Sequence, residues 1–239
     1  MEDAVEKGLP MRLMRIGPLG SERPVVVSDG QAFDLSPVTA DIDGDYFARG
    51  GLRMTTAALA ARSLRPIELG HERVGAPVAR PQAVVCVGQN YPDLCTELGL
   101  PAPSDPVLFF KHPNAVVGAF DPIVIPPRAE QVDYEVELAL VMGAQAAYLE
   151  SDEEALACVA GVTIANDVSE RSGMTSGANG QWSAGKSAPT FCPLGPSVVP
   201  LDSLAVVGDL ADLRLQLHVN GELRQDASTA QMVFSVGEL

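Results

Sequence analysis

The stretch Val132-Asp133-Tyr134-Glu135-Val136-Glu137-Leu138 carries three carboxylates at alternate positions. In an extended strand successive side chains take opposite faces, so Asp133, Glu135 and Glu137 are expected on one side and Tyr134, Val136 and Leu138 on the other. Like charges at that spacing repel, and such a row persists where the face is well solvated or where a cation sits among the carboxylates. A hard divalent ion, Mg²⁺ or Ca²⁺, takes oxygen ligands of this kind. Another acidic group stands in Asn166-Asp167-Val168-Ser169, where a predicted strand from Val162 to Asn166 runs out. An acidic residue leaving a buried strand is either a site residue or a cap.

The elements that must hold these residues are short. In 239 residues there are 22 Gly and 19 Pro, with 46% hydrophobic residues and 5% aromatic, a composition of many turns and short strands that excludes an all-helical bundle. Met11 to Ile16 and Pro24 to Val27 read as a hairpin, with Ser28-Asp29-Gly30 as the next turn. An Ala-rich helix follows over about Thr55 to Arg62, capped by Thr55 or Thr56. Gly75 to Pro81 reads as a linker, dividing a small unit, 1–75, from a larger one, 76–239. Beyond it, Ala83 to Val87, Val107 to Phe110, Ile123 to Ile125 and the longer Asp133 to Met142 read as strands. Ser151-Asp-Glu-Glu154 is a capping box that opens a helix ending near Gly161. Leu213 to Val219 alternates strictly and runs into Asn220-Gly221, a strong hairpin signal. Thr229 is placed to cap a final helix whose apolar positions are Met232, Val233, Val236 and Leu239.

With 16 Lys and Arg against 31 Asp and Glu, the net charge of −15 argues against nucleic acid or an anionic membrane as partner. No apolar run reaches the ~18 residues of a membrane helix, and the acidic start MEDAVEKGLP has no apolar leader, so a cytoplasmic protein is expected. Cys86, Cys95, Cys158 and Cys192 lack CxxC spacing, which argues for buried thiols and against zinc held by cysteine.

Taken in order, Gly88-Gln89-Asn90-Tyr91, Phe110-Lys111, Asp133-Tyr134-Glu135-Val136-Glu137, Asn166-Asp167-Val168-Ser169, Gly180-Gln181-Trp182, Gly185-Lys186-Ser187, Pro193-Leu194-Gly195-Pro196 and Val219-Asn220-Gly221 resemble the fumarylacetoacetate hydrolase family, from about Met11 to Leu239. The resemblance implies an α+β, mostly β protein: a small N-terminal β/α domain and a catalytic domain of mixed β-sandwich or rolled-sheet type. It further implies a homodimer and Mg²⁺, or Mn²⁺ or Ca²⁺, acting on β-dicarbonyl or 2-oxo acids. Residue by residue, it makes Glu135, Glu137 and Asp167 metal ligands and Lys186 the lysine beside the metal. Tyr91, Lys111 and Gln181 become substrate contacts.

Departures from the family accompany the match. Hydrolytic members carry a water-activating histidine three residues past the tyrosine and a glutamate three residues further; here these positions are Leu94 and Glu97. Glu97 is therefore a candidate catalytic residue without its partner. Ser172 and Met174 stand where the family carries an acidic residue and a glutamine, and Ala188 and Pro189 where it carries Phe-Asp. His112, next to Lys111, is a weak substitute for the lost base, while His71 and His218 are poorer still. The family continues past the helix begun at Thr229 into a Thr-Gly-Thr-Pro loop and closing strands, so a catalytic domain short at its C-terminus is expected. The expected activity is metal-dependent chemistry through a stabilised enolate, with C–C hydrolysis as the family default. Loss of the base favours tautomerisation, decarboxylation or cyclisation instead, or a degraded homologue that binds a metabolite.

Overall fold

Apolar runs punctuated by Gly and Pro become strands in the computed structural model, which describes residues 10–175, 180–204 and 210–239. The chain opens with a meander of β1 (Arg12–Ile16), β2 (Arg23–Ser28) and β3 (Gln31–Asp34), followed by α1 (Gly44–Ala48), α2 (Gly51–Ala60) and a short β4 (Pro66–Ile67). Next come β5 (Val84–Gly88), α3 (Pro92–Glu97), β6 (Val107–Lys111), β7 (Val116–Gly118), β8 (Val132–Asp133) and β9 (Val136–Met142). They are followed by α4 (Asp152–Ala157), β10 (Val159–Asn166), β11 (Ser169–Glu170), α5 (Arg171–Met174) and α6 (Trp182–Lys186). β12 (Cys192–Pro200), α7 (Leu201–Leu204) and the hairpin β13 (Arg214–Val219) with β14 (Glu222–Ser228) complete the order.

An eight-stranded sheet runs β4-β3-β2-β1-β12-β10-β9, with β7 lying parallel to β12. The pairs β5–β6, β8–β11 and β13–β14 form separate ribbons, giving the mostly β, α+β architecture expected. Residues before and after 75 share the large sheet, because β1 meets β12 at Leu13↔Val198. Both faces of β1 and β2 are buried. Leu13 and Val26 pack with Leu35, Ile42, Tyr46 and Val198 on one side, while Ile16, Val25, Val27 and Ala32 pack on the other. Buried Arg15 ties the expected linker to this sheet by donating to the Ala76 carbonyl (3.0 Å) and to Asp41 (2.6 Å).

Several expected elements differ, each for a tertiary reason. The Ala-rich helix starts at Gly51 rather than Thr55, with Gly50 at φ 76° as its cap, a conformation glycine adopts without strain. Thr55 is fully buried and shares a 2.8 Å hydrogen bond with the Tyr46 hydroxyl, so its oxygen is spent inside the core. Ile123 to Ile125 form no strand; the Val124 N–H donates to the Thr190 hydroxyl (2.8 Å) instead of a ladder partner. The helix opened by Ser151 ends at Ala157, and β10 begins at Val159, earlier than expected. At the end of the chain a 3₁₀ turn over Thr229–Gln231, capped by Ser228, replaces the expected helix. Thr229 accepts from the Leu213 N–H instead of capping (2.7 Å). The N–H groups of Val233 and Phe234 go to the main-chain and side-chain oxygens of Asn90, both at 2.8 Å, so neither is available to an intrahelical bond.

Asn220 and Gly221 both take positive φ, 53° and 84°, as a two-residue hairpin turn between β13 and β14 requires. All four cysteines are free. No helix among the described residues is long and apolar enough to cross a membrane.

Asn90 is buried and grips Phe234 from both sides, its amide donating back to the Phe234 carbonyl at 3.0 Å. Asn90→Ala leaves both main-chain groups without that partner. It is expected to destabilise the protein by about 1–3 kcal/mol, read from the urea midpoint at constant slope. An unchanged midpoint would show that the clamp contributes nothing.

Candidate metal centre

The site begins with a break in the chain. Tyr134 and Glu135 separate β8 from β9, and the N–H groups released by the break find side-chain oxygens. Tyr134 N–H donates to Asp133 Oδ1 (2.9 Å), Glu135 N–H to Asn166 Oδ1 (3.2 Å) and Val136 N–H to Gln225 Oε1 (2.8 Å). The break corrects the expected row of three carboxylates. Asp133 lies outside the close carboxylate group, and Arg171 Nη2 stands 2.9 Å from both Asp133 Oδ2 and Glu135 Oε1. Asp167 joins them from the end of β10, its own N–H donating to the Glu135 carbonyl at 2.9 Å. Carboxylate oxygens of Glu135, Glu137 and Asp167 then lie within 4.8 Å of one another.

Cations enter from other elements. Lys186, at the end of α6, places Nζ 2.6 Å from Glu135 Oε2 and 2.6 Å from Asp167 Oδ2, and 4.9 Å from the centre of the Phe109 ring. Trp182, at the start of α6, meets Phe109 edge-on at 5.5 Å. Gly88 leaves room for that indole, since a Cβ there would come within 2.7 Å of it. Arg171 reaches Glu135 Oε1 at 2.9 Å from the more open side. Glu137 has no ion pair among the described residues. Burial, and then the charges of Glu135 and Asp167, push its carboxyl up to about 8. Burial raises Glu135 as well, against the pull of Lys186. For Lys186, burial works to lower the pKa, but Asp167 and Glu135 outweigh it and hold the ammonium above its usual range. Burial and the charge of Glu137 push the Tyr91 phenol up to about 12.

This donor set fits a hard divalent cation: it is all oxygen, and one of its three carboxyls, Glu137, is without an ion pair among the described residues. Glu135, Glu137, Asp167 and Lys186 are brought together as the sequence led one to expect. Lys111 is not placed as a substrate contact. It is 2% exposed, and its ammonium donates to Asp167 Oδ1 (2.6 Å), the Val168 carbonyl (3.0 Å) and the Lys186 carbonyl, which engages all three donors. Tyr91 is half-buried at the N-cap of α3. Gln181 is exposed at the N-cap of α6. Glu97 and Leu94 are both exposed on α3, and Glu97 lies outside the carboxylate cluster. His112 is exposed, its main-chain N–H held by Ser187 Oγ at 3.0 Å. Met174 is buried, and Ser172 turns to Glu170 (2.6 Å).

Two contributors were missed. Phe109 stands two residues before Lys111 on the inner face of β6, so period-two alternation carried a signal for it. Arg171 carried none beyond its nearness to Asp167.

The chain matches the family described as "Fumarylacetoacetate (FAA) hydrolase C-terminal" over residues 83–239. It is 49% identical over 165 residues to the mitochondrial oxaloacetate tautomerase FAHD2B of Bos taurus, covering 69% of this chain and 51% of that protein. The chain thus spans about half the length of that relative. Among solved structures it resembles a fumarylacetoacetate hydrolase from psychrophilic Exiguobacterium antarcticum, with TM-score 0.78 and 34% identity, covering 95% of this chain and 79% of that one. It also resembles the maleylpyruvate hydrolase of Sphingobium sp. SYK-6, solved with manganese(II) and pyruvate, with TM-score 0.73 and 26% identity over 95% of this chain and 80% of that one.

The Glu137 carboxyl has an ordinary value of 4.5 and a folded value of about 8, so the native state binds the extra proton between the two. Its contribution to stability is full below about pH 4.5 and is lost as pH rises through 8. In excess EDTA the melting temperature is expected to fall between pH 5.5 and 8.5, and Glu137→Gln to flatten that fall. Parallel profiles for the two proteins would refute the assignment.

Proposed function

The chain belongs to the fumarylacetoacetate hydrolase family, and on that footing we propose that it is a divalent-metal-dependent enzyme that interconverts the keto and enol forms of a 2-oxo acid or β-dicarbonyl substrate. The observation that carries this reading is the convergence of Glu135, Glu137 and Asp167 with the ammonium of Lys186, beside an α3 that offers Leu94 where a water-activating base is expected.

Glu135, Glu137 and Asp167 would hold the cation, which when bound supplies Lewis-acid charge to the oxygens of a chelating dicarbonyl. Lys186 is kept protonated by its two carboxylates, so it acts as a hydrogen-bond donor and fixed positive charge where an oxygen gains electron density. Phe109 and Trp182 cover its flank and keep water from screening it. Tyr91 remains a neutral phenol across the working range and presents an O–H donor. Leu94 has no proton to give or take, and Glu97 on the same helix is exposed. Enolisation moves a proton between carbon and oxygen and consumes no water, so it makes the smallest demand on the missing base. The similar proteins support the substrate class, since the oxaloacetate of the tautomerase and the pyruvate bound to the maleylpyruvate hydrolase are both 2-oxo acids. Mg²⁺ as the resident ion, with Mn²⁺ or Ca²⁺ in its place, and a homodimer belong to the same proposal. So does a cytoplasmic setting, which the four free thiols support.

The test is decay of enol absorbance from oxaloacetate with Mg²⁺ or Mn²⁺, with pyruvate release followed in parallel from oxaloacetate and from an acylpyruvate. Metal-dependent enol decay without pyruvate is the expected result. Lys186→Met should lose about 10²–10³ in kcat, and Glu137→Ala at least as much. Pyruvate release from the acylpyruvate with enol decay at background would overturn the reading in favour of C–C hydrolysis. Wild-type rates equal to those of Glu137→Ala would overturn it altogether.

A further inference from the structure

We propose that Lys111 is a positioning residue for the cation site, fixing the Asp167 carboxylate and the last carbonyl of α6 through its three N–H groups. The inference rests on the metal-dependent reading above and gives this lysine a role other than contact with substrate. Its partners come from two separate places in the fold. Asp167 and Val168 form the corner between β10 and β11, and the Lys186 carbonyl closes the short helix α6. The carbonyl of Lys186 is one of the helix-terminal oxygens left without an intrahelical partner, and Lys111 supplies the missing donor. Lys111 thereby locks the corner that carries Asp167 to the helix end that carries the Lys186 side chain. Its own ammonium occupies Asp167 Oδ1, while Lys186 occupies Oδ2.

The two lysines should therefore act oppositely on a cation. Coulomb's law alone says that removing either positive charge tightens divalent binding to the three carboxylates. Lys186 takes oxygens from both Glu135 and Asp167 and, among the described residues, its ammonium holds no carbonyl, so for it the Coulomb expectation stands. Lys111 touches one carboxylate oxygen and two backbone carbonyls, so its loss releases the corner and the helix end together, and affinity falls despite the charge removed.

The experiment titrates the full chain with Mn²⁺, following free ion by electron paramagnetic resonance, for wild type, Lys111→Met and Lys186→Met. Hydrogen exchange of residues 164–170 and 182–188 is measured on the metal-free proteins. Lys111→Met is expected to raise the Mn²⁺ Kd at least tenfold and to speed exchange in both segments. Lys186→Met is expected to lower the Kd and to leave exchange near wild type. A Lys111→Met protein that binds Mn²⁺ as tightly as wild type overturns the proposal, even with a lowered melting temperature, because that is the signature of a residue that only stabilises the fold. Should Lys111→Met fail to fold, Lys111→Gln takes its place with the same sign expected. If wild type binds no Mn²⁺, the metal-dependent reading falls, and the exchange data alone decide whether Lys111 holds the two segments.

Discussion

Three carboxylates within 4.8 Å of one another cannot all be ionised in a buried place without positive charge among them. The structure answers with lysines from two different elements, Lys186 and Lys111, and with Arg171 on the more open side. Pairs of this kind are weak sources of stability, because desolvation offsets most of the attraction. Their presence is better understood as the cost of keeping three carboxyl groups close together, with Glu137 left over as the group that stays protonated near neutrality.

The surrounding fold serves that constraint through the ends of its elements. Glu135 lies in the gap between β8 and β9, Asp167 just past β10, Lys111 at the end of β6 and Lys186 at the end of α6. Element ends are where backbone groups lack regular partners, and here side chains satisfy them: Asn166 and Gln225 at the gap, Lys111 at the corner and the helix end. The large sheet supplies rigidity behind them, with β9 and β10 paired from Val159↔Met142 to Asn166↔Val136. That pairing sets Glu137 opposite Ala165, two residues before Asp167.

What could be read from the sequence was what depends on near neighbours. The β13–β14 hairpin follows from strict alternation and Asn220-Gly221, and the shared side of Glu135 and Glu137 follows from the two-residue period of a strand. The rest depends on distant partners. Arg171, which bridges Asp133 and Glu135, stands 38 residues beyond Asp133. Lys111 looked like a ligand for substrate because its partners stand 56, 57 and 75 residues away. Thr55 looked like a cap because Tyr46, which binds its hydroxyl, belongs to another helix. Ile123 to Ile125 have strand composition and no ladder to join, so propensity without a partner produced an exposed, irregular segment.

The clamp between Asn90 and Phe234 closes over 144 residues of chain. At a synthesis rate of about 5–20 residues per second, the segment carrying Tyr91 leaves the ribosome roughly 7–30 seconds before its anchor exists. Until then the exposed leucines of α3 and its following loop, Leu94, Leu98 and Leu100, lack the tie from Asn90 to Phe234 and are held at the two ends of their segment by the β5–β6 ribbon. Assembly of the centre is therefore a late event of biogenesis, and β1 of the N-terminal meander waits longer still, since its partner on β12, Val198, follows Leu13 by 185 residues.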